Sequence, residues 1–281
     1  MPRARFASLL SAARAIHVLH LYGAAGIASF GWALGRLLGF DSTPFLPLWF
    51  CGALLVYNLD RLKPDPSDAL NIPERQRQHA RLRTASIALT AVSAVLLVAI
   101  PARMAFAGQP LLLALTPAAA VLSLSYSFPI FGFRFKDAPL VKTLFAPAVV
   151  LLAYFAPVLL RGELRPNAPA LAAAAFSGCL LLFNMVLCDA RDVAGDRALG
   201  TRSLPVLLGE KNTRRFLAAL LAGGVLAAWT QGWFLPAGAA GIYLGTLLIA
   251  LRQPRGESFY EWFVEGILFL PAAVTLAQSA R

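Results

Sequence analysis

Of 281 residues, 58% are hydrophobic and only 14% are charged, and the mean hydropathy is +0.67. A water-soluble domain of this length does not need so much apolar surface, so composition excludes that class and leaves an integral membrane protein. The net charge of +11 would suit nucleic acid, but the basic residues flank apolar stretches, as they do beside anionic lipid headgroups, and nucleic acid is not an expected partner.

Apolar stretches of about 20 residues are long enough to span a bilayer as helices. In chain order they fall at 15–35, 43–59, 84–105, 109–127, 140–160, 168–188, 213–230, 233–251 and 260–279. The expected fold is therefore all-α, a polytopic membrane bundle of about nine helices around a central cavity, in one domain spanning 1–281. With the N-terminus in the cytosol, twenty of the 25 Arg and Lys residues fall in cytosolic segments, which supports an odd number of spans with the N-terminus inside. A bacterial inner membrane is the expected location. Cys51, Cys179 and Cys188 are odd in number and lie in or beside apolar segments, so they form neither a disulfide framework nor a metal-ligand pattern.

At the start of the first span, His17 and His20 are either interfacial residues or contacts of a substrate. The connection after the second span opens with Asn58, Asp60, Asp65 and Asp68, then turns basic. Pro64 and Pro66 break any helix running on from Asp60, which predicts a loop for Asp65 and Asp68. After the sixth span the pattern returns: Asp189, Asp192 and Asp196, followed by Arg197 and Arg202. The recurrence resembles a degenerate internal repeat, with halves at about 15–127 and 140–251 and one extra helix. Two acidic mouths would then face one cavity.

Asp189, Asp192 and Asp196 are spaced i, i+3, i+7, so one continuous helix would gather them within roughly a 60° arc. Carboxylates about 5.5 Å apart repel by about 3 kcal/mol at an effective dielectric near 20. Crowding them there predicts a hard cation such as Mg²⁺, shared with substrate phosphates; a solvated helix start rich in acids is the alternative. In the last span Glu257, Glu261 and Glu265 recur every four residues. Glu265 is the deepest and is a candidate base or hydrogen-bond partner for a substrate, while Arg252 and Arg255 are the expected partners of Glu257 and Glu261.

The second acidic block runs on through Gly200, Ser203, Leu204, Pro205, Val206 and Gly209. As a whole, Asp189–Gly209 resembles the second aspartate-rich signature of the UbiA superfamily of intramembrane prenyltransferases, D-x-x-D-x-x-x-D-x-x-x-G-x-x-T/S-L-P-V-x-x-G. The first block departs from the family's N-D/Q-x-x-D-x-x-x-D: Asn58 begins it, but the positions four and eight residues on are Leu62 and Pro66. Tyr126-Ser127-Phe128-Pro129 and the basic residues after it resemble a third family stretch.

The resemblance implies Mg²⁺-dependent transfer of a polyprenyl group from its diphosphate to a lipophilic, often aromatic, acceptor. It implies Asp189, Asp192, Asp196, Asp60, Asp65 and Asp68 as metal ligands, and Asn58, Arg61, Lys63 and Arg197 as substrate-binding residues. Lys142, Tyr126 and Arg202 are implied as catalytic, Lys142 neutralising the diphosphate and Tyr126 lining the site near the ionising bond. Two other functions suit the same scaffold: a membrane terpene cyclase, and a non-catalytic lipid-binding or transport protein.

Overall fold

The computed structural model describes residues 12–62, 66–130 and 132–280, and of Ser67 and Asp68 only the backbone. Lys63 and Asp65 lie outside the described residues. Among those described there is no strand, and a helix covers each apolar segment named above. Ala12–Val18 (α1) and Leu21–Leu38 (α2) meet at a 67° bend, where His20 takes up left-handed backbone, φ 58° and ψ 16°. There follow α3 (Leu46–Leu62), α4 (Pro66–Asn71), α5 (Pro73–Arg81), α6 (Arg83–Phe106), α7 (Leu111–Ser127) and α8 (Val141–Leu160). Then come α9 (Ala168–Arg191), α10 (Val193–Ala198), α11 (Leu204–Trp229), α12 (Phe234–Ala250) and α13 (Glu257–Ser279).

Helices α6, α8, α9 and α13 are each long and apolar enough to cross a membrane, and the bent α1–α2 pair would make a fifth. Successive long helices pack side by side, α2 on α3, α3 on α6, then α7, α8, α9, α11 and α12, until α13 returns to α2 and closes the ring. Large apolar side chains face outward, among them Val92, Val95, Val98, Leu226, Ile242 and Ile249, as lipid-facing surfaces require. Within the ring, Tyr154 donates to the Ile27 carbonyl at 2.6 Å and Trp49 to that of Ala153 at 3.1 Å. Trp49 crosses α2 so closely that a Cβ at Gly31 would lie 2.3 Å from its ring, so glycine sets the α2–α3 approach.

Two sequence expectations change here. Residue 68 lies not in a loop but in α4, because Pro66, fatal inside a helix, is well suited to a first turn. Nor do the three aspartates of the second block share one helix: α9 ends at Arg191, Asp192 caps the junction, and Asp196 belongs to α10.

Candidate active site

The ring encloses a cavity of about 780 Å³, lined by α2, α3, α7, α8, α9 and α13. Its walls are mostly aliphatic, including Leu115, Ala119, Leu122, Val149 and Ala153. At one end the lining carries the carboxylates Asp60, Asp137, Asp189, Asp192 and Asp196, with Arg61, Arg134, Lys136, Lys142 and Arg191 among them. The volume falls within the range of small-molecule sites.

Lys142 holds that end together. It sits in the first turn of α8, not a full turn inside the span, where the helix dipole disfavours a cation. Its Nζ donates to Asp196 Oδ1 at 2.5 Å and stands 3.7 Å from Asp189 Oδ1. Both aspartates are 1% exposed, so the lysine answers charges that burial would otherwise make very costly. Beside it Thr143, fully buried, donates to Asp189 Oδ2 and accepts from the Leu204 N–H at 3.1 Å. That one hydroxyl ties the start of α8 to the end of α9 and to the Leu204-Pro205 start of α11.

Asp192 is held differently. Arg191 donates to its two carboxylate oxygens at 2.8 and 3.0 Å. Burial works against the charged carboxyl, but the Arg191 charge and its paired hydrogen bonds outweigh burial and hold Asp192 below the usual carboxylate range. Arg191 also lies over the Tyr260 ring, 5.6 Å from its centroid.

In the first block, Asp60 is the one aspartate whose side chain lies among the described residues. Asp60 reaches the cavity, where it accepts from the Ser127 hydroxyl and stands 3.6 Å from Lys136 Nζ. Asn58 does not line the cavity. It is fully buried behind it, its amide donating to the Leu19 and Leu54 carbonyls at 3.2 and 3.0 Å and its oxygen accepting from Ser86 at 2.7 Å. With both amide hydrogens engaged, Asn58 fastens the α1–α2 bend to α3 and α6 and has no donor left for a substrate. Helix α4 nevertheless lies on α10: Asn71 accepts from the Gly195 N–H at 2.8 Å, and a Cβ at Gly195 would meet the Asn71 amide at 2.5 Å. The segments carrying the two acidic blocks therefore meet.

Tyr126 lines the cavity, its hydroxyl donating to the Lys142 carbonyl at 3.4 Å and its ring stacked on Phe145. Arg61 also lines it. Arg197 and Arg202 do not: both side chains are exposed, and Arg202 takes part only through its carbonyl, which accepts from Leu140. The short turn of α10 and the following loop carry these side chains outward, away from the cavity to which substrate-binding and catalytic roles would bring them. Glu257 has no bond to Arg252 or Arg255; Arg255 donates to the Ala250 carbonyl. Sequence reasoning missed Arg191, which looks like one more cytosolic flank, and Thr143, which carries no motif. The signal for Arg191 was its place between two aspartates.

Among the described residues no three acidic, histidine or cysteine groups form a ready metal cage. The donor chemistry still suits Mg²⁺, which takes one or two carboxylates and fills its remaining positions with water and phosphate oxygens. One atom points the same way: Asp196 Oδ2 is buried without any hydrogen-bond partner.

A ring of apolar helices around a largely aliphatic cavity with one carboxylate-rich end defines a membrane-embedded helical protein. The chain belongs to the UbiA prenyltransferase family, whose sequence model matches residues 66–258 and so contains the whole second acidic block. It is an integral membrane protein. Its fold is similar to that of a UbiA homologue from Archaeoglobus fulgidus bound to GPP and Mg²⁺, with a TM-score of 0.64 and 14% identity over 95% of this chain and 100% of that one. A short stretch of 39 residues is 54% identical to Somaliensene A/B synthase of Streptomyces somaliensis; the match spans 14% of this chain and 13% of that protein.

Proposed function

We propose that this protein transfers a prenyl group from a prenyl diphosphate to a lipophilic, aromatic acceptor inside the membrane, in a Mg²⁺-dependent reaction. The observation that carries the reading is the polarity of the cavity: carboxylates and cations crowd its aspartate end, and the walls beyond it are largely aliphatic. A diphosphate with an isoprenoid tail has the same division. Membership of a prenyltransferase family supports the reaction type, and the GPP and Mg²⁺ held by the archaeal homologue support the substrate and the ion.

Asp189 and Asp196 would hold the cation, with Asp192 and Asp60 available from either side. When bound, Mg²⁺ neutralises the diphosphate so that it can leave with the electron pair of its bond to the prenyl carbon. Lys142, free to turn from the carboxylates to phosphate oxygens, binds the leaving group beside Arg61 and Lys136. Tyr126 orients the first prenyl carbons, and the aliphatic walls exclude water from the reacting bond. The distribution of Arg and Lys supports a mouth at the cytosolic face.

The test is turnover by purified protein in lipid nanodiscs with labelled geranyl diphosphate, Mg²⁺ and a panel of aromatic acceptors. Prenylated acceptor that forms only with Mg²⁺, and not in Asp189→Asn, is the expected result. Hydrocarbon released without acceptor would replace transfer by cyclisation, and tight binding without any product would leave a lipid-binding protein.

A further inference from the structure

The cavity has a second polar wall, away from the aspartate end. Asn184 and Asp189 both line it from α9, five residues apart and hence about 7.5 Å along the helix axis. Asn184 donates to the Val264 carbonyl at 2.7 Å, which places Glu265 at that deeper level. Glu265 lines the cavity with Gly23, His20, Tyr57 and Arg75. A carboxylate inside a membrane segment is expensive and marks function by default.

The chain goes to unusual lengths to present this one. Residues Tyr260–Val264 form a π-helical turn and Glu265–Phe269 a 3₁₀ turn, within an otherwise α-helical span. Such breaks leave carbonyls without helical partners and are common at functional sites. Here Tyr22, Tyr243 and Asn184 donate to the carbonyls of Trp262, Phe263 and Val264, at 3.4, 2.8 and 2.7 Å, from three other helices. Facing them is a second irregularity, the left-handed backbone at His20.

Glu265 itself is left short of partners. The nearest side-chain nitrogens are Arg75 Nη2 at 3.8 Å and His17 Nδ1 at 3.7 Å, beyond hydrogen-bonding range. Among the described residues none donates a hydrogen bond to it, and its side chain keeps 20% exposure. Arg75, 6% exposed, is turned instead to the His17 carbonyl at 3.3 Å. The wall thus offers vacant acceptor capacity and an arginine whose charge already faces a carboxylate. The same wall carries two aromatic rings, His20 stacked on Tyr57 with centroids 5.3 Å apart, and Tyr57 is the more exposed of the two.

We infer that Glu265 determines acceptor specificity: it receives the hydroxyl of a neutral hydroxylated aromatic whose ring lies on the His20–Tyr57 face, and it rejects aromatic carboxylates. The inference rests on the prenyl-transfer reading and specifies its second substrate. A carboxylate brought to this wall would meet Glu265 as a like charge, with Arg75 already occupied.

The test compares binding of two probes of one shape, 4-methylphenol and 4-methylbenzoate, to the protein in lipid nanodiscs by ligand-detected NMR, with geranyl diphosphate binding measured on the same samples. Wild type should prefer the phenol, and Glu265→Gln, which removes the like charge and leaves the Arg75 charge without a facing carboxylate, should shift the ratio toward the benzoate by roughly tenfold or more. Gly23→Val fills the space beside Glu265 Oε2, 3.8 Å from a Cβ at that position, and should weaken phenol binding more than geranyl diphosphate binding. An unaltered probe ratio in Glu265→Gln, or equal loss of both ligands in Gly23→Val, overturns the inference. Geranyl diphosphate binding that persists through that failure leaves the prenyl-transfer reading standing, whereas its absence in wild type defeats that reading instead.

Discussion

The two acidic blocks occupy corresponding places in the chain, and their segments meet where α4 lies on α10, yet they are built on different principles. In the second, each carboxylate has a partner inside the site: Thr143 and Lys142 for Asp189, Arg191 for Asp192, Lys142 for Asp196. In the first, Asn58 is consumed by the scaffold, and Asp60, the one aspartate of the block whose side chain is described, stands at the cavity against Ser127 and Lys136. A motif residue can thus be kept for packing after its register with the rest of the motif is gone.

The contrast can be broken at its strongest point first. Asp196→Ala should lower Mg²⁺-dependent prenyl transfer by about 10³-fold, measured as product formed at saturating geranyl diphosphate. Lys142→Met leaves two buried carboxylates unanswered and should destabilise the protein by about 3–5 kcal/mol in chemical denaturation without divalent cation; added Mg²⁺ should restore much of that loss. Asn58→Ala should cost about 2–3 kcal/mol of stability, since it strands buried partners on three helices, while the KM for the diphosphate stays unchanged. An effect on KM alone would return Asn58 to the substrate site. Asp60→Asn should reduce turnover about tenfold, the contribution of a single outlying carboxylate. Arg202→Ala, exposed and outside the cavity, should change turnover by no more than about twofold.

Much of this architecture is legible in the sequence because membrane helices announce themselves by composition. The apolar runs at 84–105 and 168–188 fall within α6 and α9. The sequence also groups Asp189, Asp192 and Asp196 in one acidic block, although the single helix expected to carry all three ends at Arg191. Hidden from the sequence were the features that depend on tertiary contact. Helix α9 ends at Arg191, where Asp192 takes φ −91° and ψ 4°, a break that the i, i+3, i+7 spacing does not show. The π turn at Tyr260–Val264 persists because Tyr22, Tyr243 and Asn184 satisfy its carbonyls, and those residues are distant in sequence. Asn58 misled for the opposite reason: it matches a motif, but its partner Ser86 is visible only in the fold.

The central claim is that carboxylates at the ends of α9 and α10 hold a diphosphate through divalent cation. The most direct measurement is equilibrium binding of radiolabelled geranyl diphosphate to the protein in nanodiscs, with Mg²⁺ and with EDTA, for wild type and for Asp189→Asn/Asp196→Asn. Binding that requires Mg²⁺ in wild type and disappears in the double variant is the predicted result. Equal affinity with and without the ion, or an unchanged affinity in the double variant, would contradict it.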